Sequence, residues 1–187
     1  DLITNMWLDV VLNMGAGKAK CFYTNDVGHA LIKSSEIEIG GQLIDRHDSF
    51  FNNIYSNLYD WDSASLTGLG NDENYRGGHH PFTTVAGAAT GDDIKTQLYI
   101  PLYFWFCRNP GLALPLIALQ YHEVKLKIET REVDSLLVGF GGNKLNLGAG
   151  AGSSSTTADP TITLYVDYIY LDTDERRRFA QVSHEYL

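Results

Sequence analysis

Two neighbouring segments of the chain carry different hydrophobic patterns, and their contrast restricts the fold more than any other feature. In "HEVKLKIETR", residues 122–131, strict alternation predicts a half-buried antiparallel strand with one face in water. Its expected inward side chains are His122, Val124, Leu126, Ile128 and Thr130. In "LYIPLYFWF", residues 98–106, every residue is apolar or aromatic, which indicates a strand covered on both faces. Together the two segments predict a β-sheet protein in which one sheet has a further layer packed beside it.

The second segment divides into two different faces. One is purely apolar, so Phe104 and Phe106 are predicted to lie in the core between two sheets. The other is amphipathic, so Tyr99, Tyr103 and Trp105 are candidate interface residues that the isolated chain should expose. Pro101 has no backbone N–H to donate, which predicts that this strand lies at an edge, starts a ladder or carries a bulge.

Composition restricts the class of protein and its partners. The chain has 187 residues, of which 44% are apolar, enough for one domain with a substantial core. A net charge of −9 argues against nucleic acid as a main partner. No apolar run approaches the roughly 18 residues of a membrane span, so membrane insertion is not expected. Cys21 and Cys107 are too few for a disulfide scaffold, and Cys107 is predicted to be a buried free thiol.

Period-two patterns predict seven strands separated by turn residues. Gly40 and Gly41 separate two of them, and because a positive φ is cheap only for glycine, a tight hairpin is expected there. The predicted strands cover residues 2–12, 19–23, 30–39, 42–44, 97–106, 120–133 and 162–171.

Two segments with helical spacing interrupt the β pattern, each directly after a strand. In "DRHDSFFNNIYSNLYDW" an apolar stripe includes Phe50 and Ile54, with Asp45 as the expected N-cap. In "DTDERRRFAQVSHEYL", Asp172 and Glu175 form a cap-like pair for a second short helix.

Two long segments have a composition that offers little to bury. Residues 62–93 and 140–160 are rich in Gly, Ser, Asn and Thr and are interpreted as loops. Loops of this length in a compact domain usually serve an interface or a surface. The domain is therefore predicted over residues 1–171, followed by a helical connection over residues 172–187.

No catalytic, cofactor or metal site is predicted from residue spacing. The segment "GAGK" at residues 15–18 lacks the other conserved positions of a phosphate loop, and a hairpin turn is expected instead. The six histidines show no metal-ligand spacing, and adjacent His79 and His80 would point to opposite sides. His122 and Glu123 cannot pair within one strand, so a structural histidine beneath the sheet is expected at His122.

Arg176, Arg177 and Arg178 form the only dense basic run of the sequence. One interpretation is a solvated helix face. The other is packing or docking against a carboxylate, because the arginine fork suits bidentate ion pairs. These three residues are therefore also candidate interface residues, and one triplet in an acidic chain gives little attraction for nucleic acid.

Three ordered motifs resemble one protein family. They are "GGQLIDRHDSFF" from Gly40, "PLYFWFCRNPGLALPLIALQYHEVKLKIE" from Pro101 and "DYIYLDTDERRRFAQVSHEYL" from Asp167. They are similar to the N-terminal jelly roll of the major capsid proteins of nucleocytoplasmic large DNA viruses, of the phycodnavirus, iridovirus and mimivirus kind. The opening "DLITNMWLDVVL" also resembles this family just past its first strand, so the likeness covers nearly all of the chain except the two loops.

The resemblance implies an all-β fold, an antiparallel jelly-roll sandwich with two short helices, which is the first half of a double jelly roll without its first strand. It also implies a structural subunit, not an enzyme, that forms homotrimers as pseudo-hexagonal capsomers of an icosahedral shell. The implied partners are neighbouring capsomers and minor capsid proteins, without direct nucleic acid contact. The implied location is the virion, with assembly in the host cytoplasm. The strand at residues 98–106 would face the second jelly roll or an adjacent subunit, and the two loops would decorate the capsomer.

Other functions remain open from the sequence. A carbohydrate-binding jelly-roll module would need Tyr59, Tyr75 or Phe82 to line a groove as stacking platforms. A cupin-type oxygenase would need a metal-binding cluster, which the histidine spacing does not offer. Within a capsid, the chain could also belong to a minor or penton paralogue.

Overall fold

The computed structural model describes residues 1–13, 21–24, 26–59, 95–119, 121–139 and 158–181. The strands in these ranges are β1 (Leu2–Asn13), β2 (Cys21–Tyr23), β3 (Ile32–Ile39), β4 (Gln42–Asp48), β5 (Lys95–Pro101), β6 (Leu114–Pro115), β7 (Val124–Thr130), β8 (Leu137–Gly139) and β9 (Ala158–Ile169). The α-helices are α1 (Val27–Leu31), α2 (Ser49–Tyr59), α3 (Trp105–Arg108) and α4 (Thr173–Gln181). Short 3₁₀ turns cover Pro110–Leu112 and Val133–Leu136.

The strands form antiparallel sheets. In the first sheet β1 is central: β9 pairs along its length, while β5 and β6 pair with successive parts of it. Leu8 of β1 is opposite Ile100 in β5 and Leu164 in β9. The second sheet has the order β4-β3-β7, and β2 pairs with β8 in a separate ladder. The expected all-β, antiparallel jelly-roll class is confirmed, with four α-helices in the described ranges instead of two.

Alternation in β1 explains where the core lies. Met6, Leu8, Val10 and Leu12 are buried, and the side chains between them point to the outer face. Ile37 and Ile39 from the second sheet and Leu98 and Ile100 from β5 belong to the same apolar cluster. Each fully buried side chain of this kind contributes about 1.5–3 kcal/mol of transfer free energy. This burial holds the two sheets together.

The segment at residues 98–106 does not form one continuous strand, so the prediction is wrong beyond Pro101. β5 ends at Pro101, at an edge of the described sheet as expected, and α3 begins at Trp105. Leu102, Phe104 and Phe106 are nevertheless buried at 2%, 0% and 0% exposure, which confirms the core prediction. The prediction failed because an apolar run has no period that favours a strand over a turn. The chain turns after Pro101 and keeps its apolar side chains in the core.

The Gly40–Gly41 hairpin is confirmed. Ile39 pairs with Gln42, and the two glycines have φ of 60° and 82°, so both need the left-handed region. β4 then continues past the predicted end to Asp48. The N-cap of α2 is therefore Asp48, whose Oδ1 accepts a hydrogen bond from the Phe51 N–H at 2.8 Å. The prediction of Asp45 as the cap was wrong, because Asp45 still belongs to the strand.

The alternating strand is confirmed as β7, whose Val124, Leu126 and Ile128 are half-buried. The expectation for His122 is wrong, because this residue precedes the strand and is exposed. Its N–H donates to the carbonyl of Leu119 at 2.8 Å, which places it in a turn. Thr130, at the other end of the strand, is also exposed.

Most of the remaining elements follow the sequence with small shifts, but β6 and β8 were not predicted. The predicted helix after Asp172 is α4, and Oδ1 of Asp172 accepts a hydrogen bond from the Thr173 N–H at 2.7 Å. α1 and α3 were not predicted, since helices of 5 and 4 residues are too short to show a period. β9 begins at Ala158, inside the predicted loop at residues 140–160, and residues 62–93 lie outside the described part.

None of the helices in the described ranges combines the length and the apolar character needed to cross a membrane.

Candidate assembly surface

The outer face of the second sheet is covered by ion pairs between strands. Its pairs are Lys33 with Glu129 at 2.5 Å, Arg46 with Glu36 at 3.2 Å, and Lys127 with Glu38. The hydrogen bond to Glu38 raises the pKa of Lys127, and the hydrogen bond from Lys33 lowers the pKa of Glu129. Exposed pairs like these contribute little stability individually. We call this surface the charged face, and its chemistry suits contact with water.

The outer face of the first sheet is aromatic. Trp7 on β1 is opposite Tyr165 on β9, and their rings stack with centroids 5.8 Å apart and planes 9° apart. Tyr99 on β5 and Tyr165 are 41% and 47% exposed. We call this surface, with Trp7, Tyr99 and Tyr165 at its centre, the aromatic face. Tryptophan and tyrosine are enriched at the centres of protein interfaces.

Two carboxylates beside the aromatic rings of this face already have amide partners within the chain. The amide of Gln97 donates to both carboxylate oxygens of Asp9, at 3.0 and 3.1 Å. The amide of Asn5 donates to Oδ2 of Asp167 at 3.4 Å. A partner could cover this face without leaving these groups unsatisfied, and unsatisfied buried polar groups are what makes such burial costly.

A groove of about 490 Å³ adjoins the aromatic face. Trp7 and Tyr99 line it from the sheet, Tyr55 and Tyr59 from α2, and Arg108 from α3. The guanidinium carbon of Arg108 lies 5.1 Å from the centroid of the Tyr55 ring, a cation–π distance. The contact between Arg108 and Tyr55 therefore joins α3 to α2 along one side of the groove.

Cys107 also lines this groove. Its thiol is free and half-buried, and burial raises its pKa to about 12. Such a thiol remains protonated and unreactive at neutral pH.

The three predicted aromatic interface residues differ in their exposure. Tyr99 lies on the aromatic face, as its strand position implies. Tyr103 is only 7% exposed, with its ring 4.7 Å from that of Tyr55, so the expectation that it is exposed is wrong. Trp105 is half-buried and packs edge-on against Phe106 at 4.9 Å. Both differ from expectation because the strand ends at Pro101 and alternation stops with it.

The arginine triplet is divided as well. Nη2 of Arg176 forms an ion pair with Oδ1 of Asp1 at 2.7 Å, which ties α4 to the start of β1. The same carboxylate oxygen lies 3.4 Å from the backbone N–H of Leu171. Arg177 and Arg178 are exposed. Arg176 therefore packs within the chain, and its two neighbours face outward.

Sequence reasoning missed Trp7 and Tyr165. Each lies between two apolar residues, so alternation alone could have placed both on an outer face. Their pairing was not readable, because the register between the first and last strands depends on the whole fold.

The described rings around Tyr59, a candidate stacking platform for a carbohydrate, do not form a coplanar row. Tyr59 is 74% exposed, but its ring is tilted by 34° to Tyr55, which is tilted by 42° to Tyr103. Tyr75 and Phe82 lie outside the described residues. In the described part of the chain, no group of three or more His, Cys, Asp or Glu side chains is placed to hold a metal ion.

The fold and these surfaces define a β-sandwich domain with one face suited to water and one suited to protein contact. The family model described as "Major capsid protein N-terminus" matches residues 1–172. The chain therefore belongs to the family of major capsid protein N-terminal domains, which confirms the resemblance seen in its motifs.

Curated relatives and solved structures agree with this assignment. The major capsid protein of Pyramimonas orientalis virus is 49% identical over 168 residues, which cover 88% of this chain and 36% of that protein. The major capsid protein of Paramecium bursaria Chlorella virus 1 is 38% identical and is matched over 37% of its length by the whole chain. A crystal structure of PBCV-1 VP54, fitted into a cryo-EM reconstruction of the virophage Sputnik, superimposes with a TM-score of 0.62 at 34% identity, over 100% of this chain and 39% of that one. The chain thus spans less than two fifths of these proteins.

Proposed function

We propose that this chain is the N-terminal jelly roll of a structural major capsid protein, and that the whole polypeptide forms homotrimeric, pseudo-hexagonal capsomers of an icosahedral virion shell. The observation that carries this proposal is the contrast between the charged face and the aromatic face. A freely soluble sandwich has no need for an outer sheet face centred on Trp7, Tyr99 and Tyr165. A sandwich that packs beside another sandwich does need such a face.

The chemistry of the aromatic face supports coverage by another jelly roll, either the second one of the same polypeptide or one of an adjacent subunit. Its rings supply apolar area, which drives association. Its carboxylates at Asp9 and Asp167 already have amide partners, so that burying them costs less. Arg177 and Arg178 are exposed on α4 and would be free to meet carboxylates of neighbouring capsomers or minor capsid proteins.

The role proposed is structural and not enzymatic. Its support is the family membership together with surfaces that suit packing more than chemistry. The virion is the corresponding location, with assembly in the host cytoplasm.

Covalent footprinting tests this proposal directly. The isolated 187-residue chain and the full-length polypeptide would be treated with a reagent that oxidises exposed Trp and Tyr rings, and separately with a lysine acylating reagent. We expect Trp7, Tyr99 and Tyr165 to be protected in the full-length protein and labelled in the isolated chain. Lys125 and Lys127, on the outer face of β7, are the matched control and should be acylated equally in both.

Two results would distinguish the alternatives. Equal labelling of the three rings in both proteins would contradict coverage of the aromatic face. Protection of the lysines together with the rings would show general compaction in place of a specific interface.

A further inference from the structure

His47 is a buried histidine whose surroundings are unusual for a structural residue. Its side chain is only 4% exposed. Its ring stacks between Phe51 of α2, with centroids 4.3 Å apart, and Phe104 of the core, with centroids 5.2 Å apart. It therefore lies at the junction where β4, α2 and the segment leading into α3 meet.

Charged groups approach this ring at one nitrogen. Nε2 lies 3.1 Å from Oδ1 of Asp45 and 3.4 Å from Nη2 of Arg108. Asp48, at the end of the same strand, adds a second negative charge nearby. The neighbouring strand places Ser35 opposite His47, and α2 contributes the uncharged ring of Phe51. The ring thus contacts one carboxylate from β4 and one guanidinium from α3, with a second carboxylate of β4 nearby.

The surroundings of the other ring nitrogen, Nδ1, determine which protonation state of His47 the site favours. Nδ1 is buried and has no hydrogen-bond partner among the described residues. One neutral tautomer suits this site: with the hydrogen on Nε2, Nε2–H can donate to Asp45 and Nδ1 is not a buried donor. In a protonated ring both nitrogens carry hydrogen, so Nδ1–H would be a buried donor without an acceptor and Arg108 would face a second cation.

We propose that His47 is an acid-sensitive latch, whose neutral ring holds α2 against β4 and α3 and whose protonation in mildly acidic solution releases α2. The contacts of Arg108 show what is released. Its guanidinium carbon lies 5.4 Å from the centroid of the Phe51 ring and 5.1 Å from that of Tyr55, both on α2, and its Nε donates to the carbonyl of Tyr103 at 2.9 Å. A charge on His47 would repel the group that joins α3 to α2.

Release of α2 would also affect the groove beside the aromatic face. Tyr55 and Tyr59 of α2 form one of its walls. Loosening α2 would therefore change the shape of this groove. The latch itself lies within the chain and does not depend on the proposed capsid function.

The direction of the pH effect follows from the two states of the chain. Burial, with a smaller contribution from Arg108, lowers the pKa of His47 below its ordinary 6.5, although Asp45 and Asp48 act in the opposite direction. The released state then binds the proton more readily than the latched state. The latch is at full strength above pH 6.5 and weakens as the pH falls below it, by at most about tenfold in the closed-to-open ratio per pH unit.

Hydrogen exchange of the chain tests the latch. Amide protection in α2 would be measured at pH 7.5, 6.5 and 5.5, corrected for intrinsic exchange, with α4 as the internal reference. We expect protection of α2 to fall by up to about tenfold between pH 7.5 and 5.5 relative to α4. His47→Gln, which keeps a donor for Asp45 but cannot titrate, should remove this pH dependence. His122→Gln, at an exposed histidine, should leave it unchanged.

A second measurement covers the case in which His47→Gln does not fold. The imidazole of His47 in the unsubstituted chain can be titrated by NMR, and its midpoint should lie below 6.5. A midpoint at or above 6.5 would overturn the proposal. So would α2 protection that is independent of pH, or a decrease that persists in a folded His47→Gln chain.

Discussion

Truncation of Phe104 should destabilise the sandwich more than most single substitutions. The side chain is 0% exposed, and its ring stacks on Phe106 at 5.9 Å and on His47 at 5.2 Å. Phe104→Ala loses about 1.5–3 kcal/mol of transfer free energy and also leaves a cavity. The two lost aromatic pairs add about 0.5–1.5 kcal/mol each at most. We therefore expect a loss of about 3–5 kcal/mol in the free energy of unfolding.

Urea unfolding of the chain, followed by far-ultraviolet circular dichroism, measures this loss. The urea midpoint should fall while the slope of the transition is unchanged, which would show that stability and not the exposed area has changed. Tyr121→Ala is the matched control, because Tyr121 is 88% exposed, and it should change the free energy by less than about 0.5 kcal/mol. A loss below about 1 kcal/mol for Phe104→Ala would refute the inference that residues after Pro101 still build the core.

Three further predictions concern local features. Gly40→Ala and Gly41→Ala should each cost about 1–2 kcal/mol in urea unfolding, because both residues have positive φ; a neutral Gly40→Ala would contradict the hairpin. Asp48→Ala should cost about 1 kcal/mol by loss of the α2 cap, whereas Asp48→Asn, which keeps a side-chain acceptor, should cost much less; equal losses would argue against capping. In a Cys21→Ser chain, Cys107, with its pKa raised to about 12, should react with a thiol reagent at pH 8 only after unfolding, and fast reaction of the folded chain would show that this thiol is accessible.

Sequence patterns predicted the fold best where one face of a strand meets water. In β7 the charged residues between Val124 and Ile128 mark the outer face, so alternation located the strand. From Leu102 to Phe106 both faces are apolar, and no period distinguished a strand from a turn and a short helix. Burial of Phe104 was predictable because it depends on apolar character. Burial of Tyr103 was not predictable, because it depends on where the strand ends.

The candidate surfaces show the same limit. Tyr99 was identified because it lies in an apolar run, but the aromatic face also needs Trp7 and Tyr165, which come from opposite ends of the sequence and meet only through the register of β1 and β9. The His47 cluster was hidden by a boundary error. With β4 extended to Asp48, Asp45 and His47 are two residues apart and share a face.

The mass of the full-length polypeptide in solution tests the central claim most directly. If this chain is the first jelly roll of a capsomer subunit, light scattering should give three times the mass of one polypeptide, and Trp7, Tyr99 and Tyr165 should be shielded from water in that particle. The isolated chain, with its aromatic face uncovered, should instead self-associate as its concentration rises. A monodisperse monomer of the full-length protein at micromolar concentration, with these three rings in water, would contradict the account.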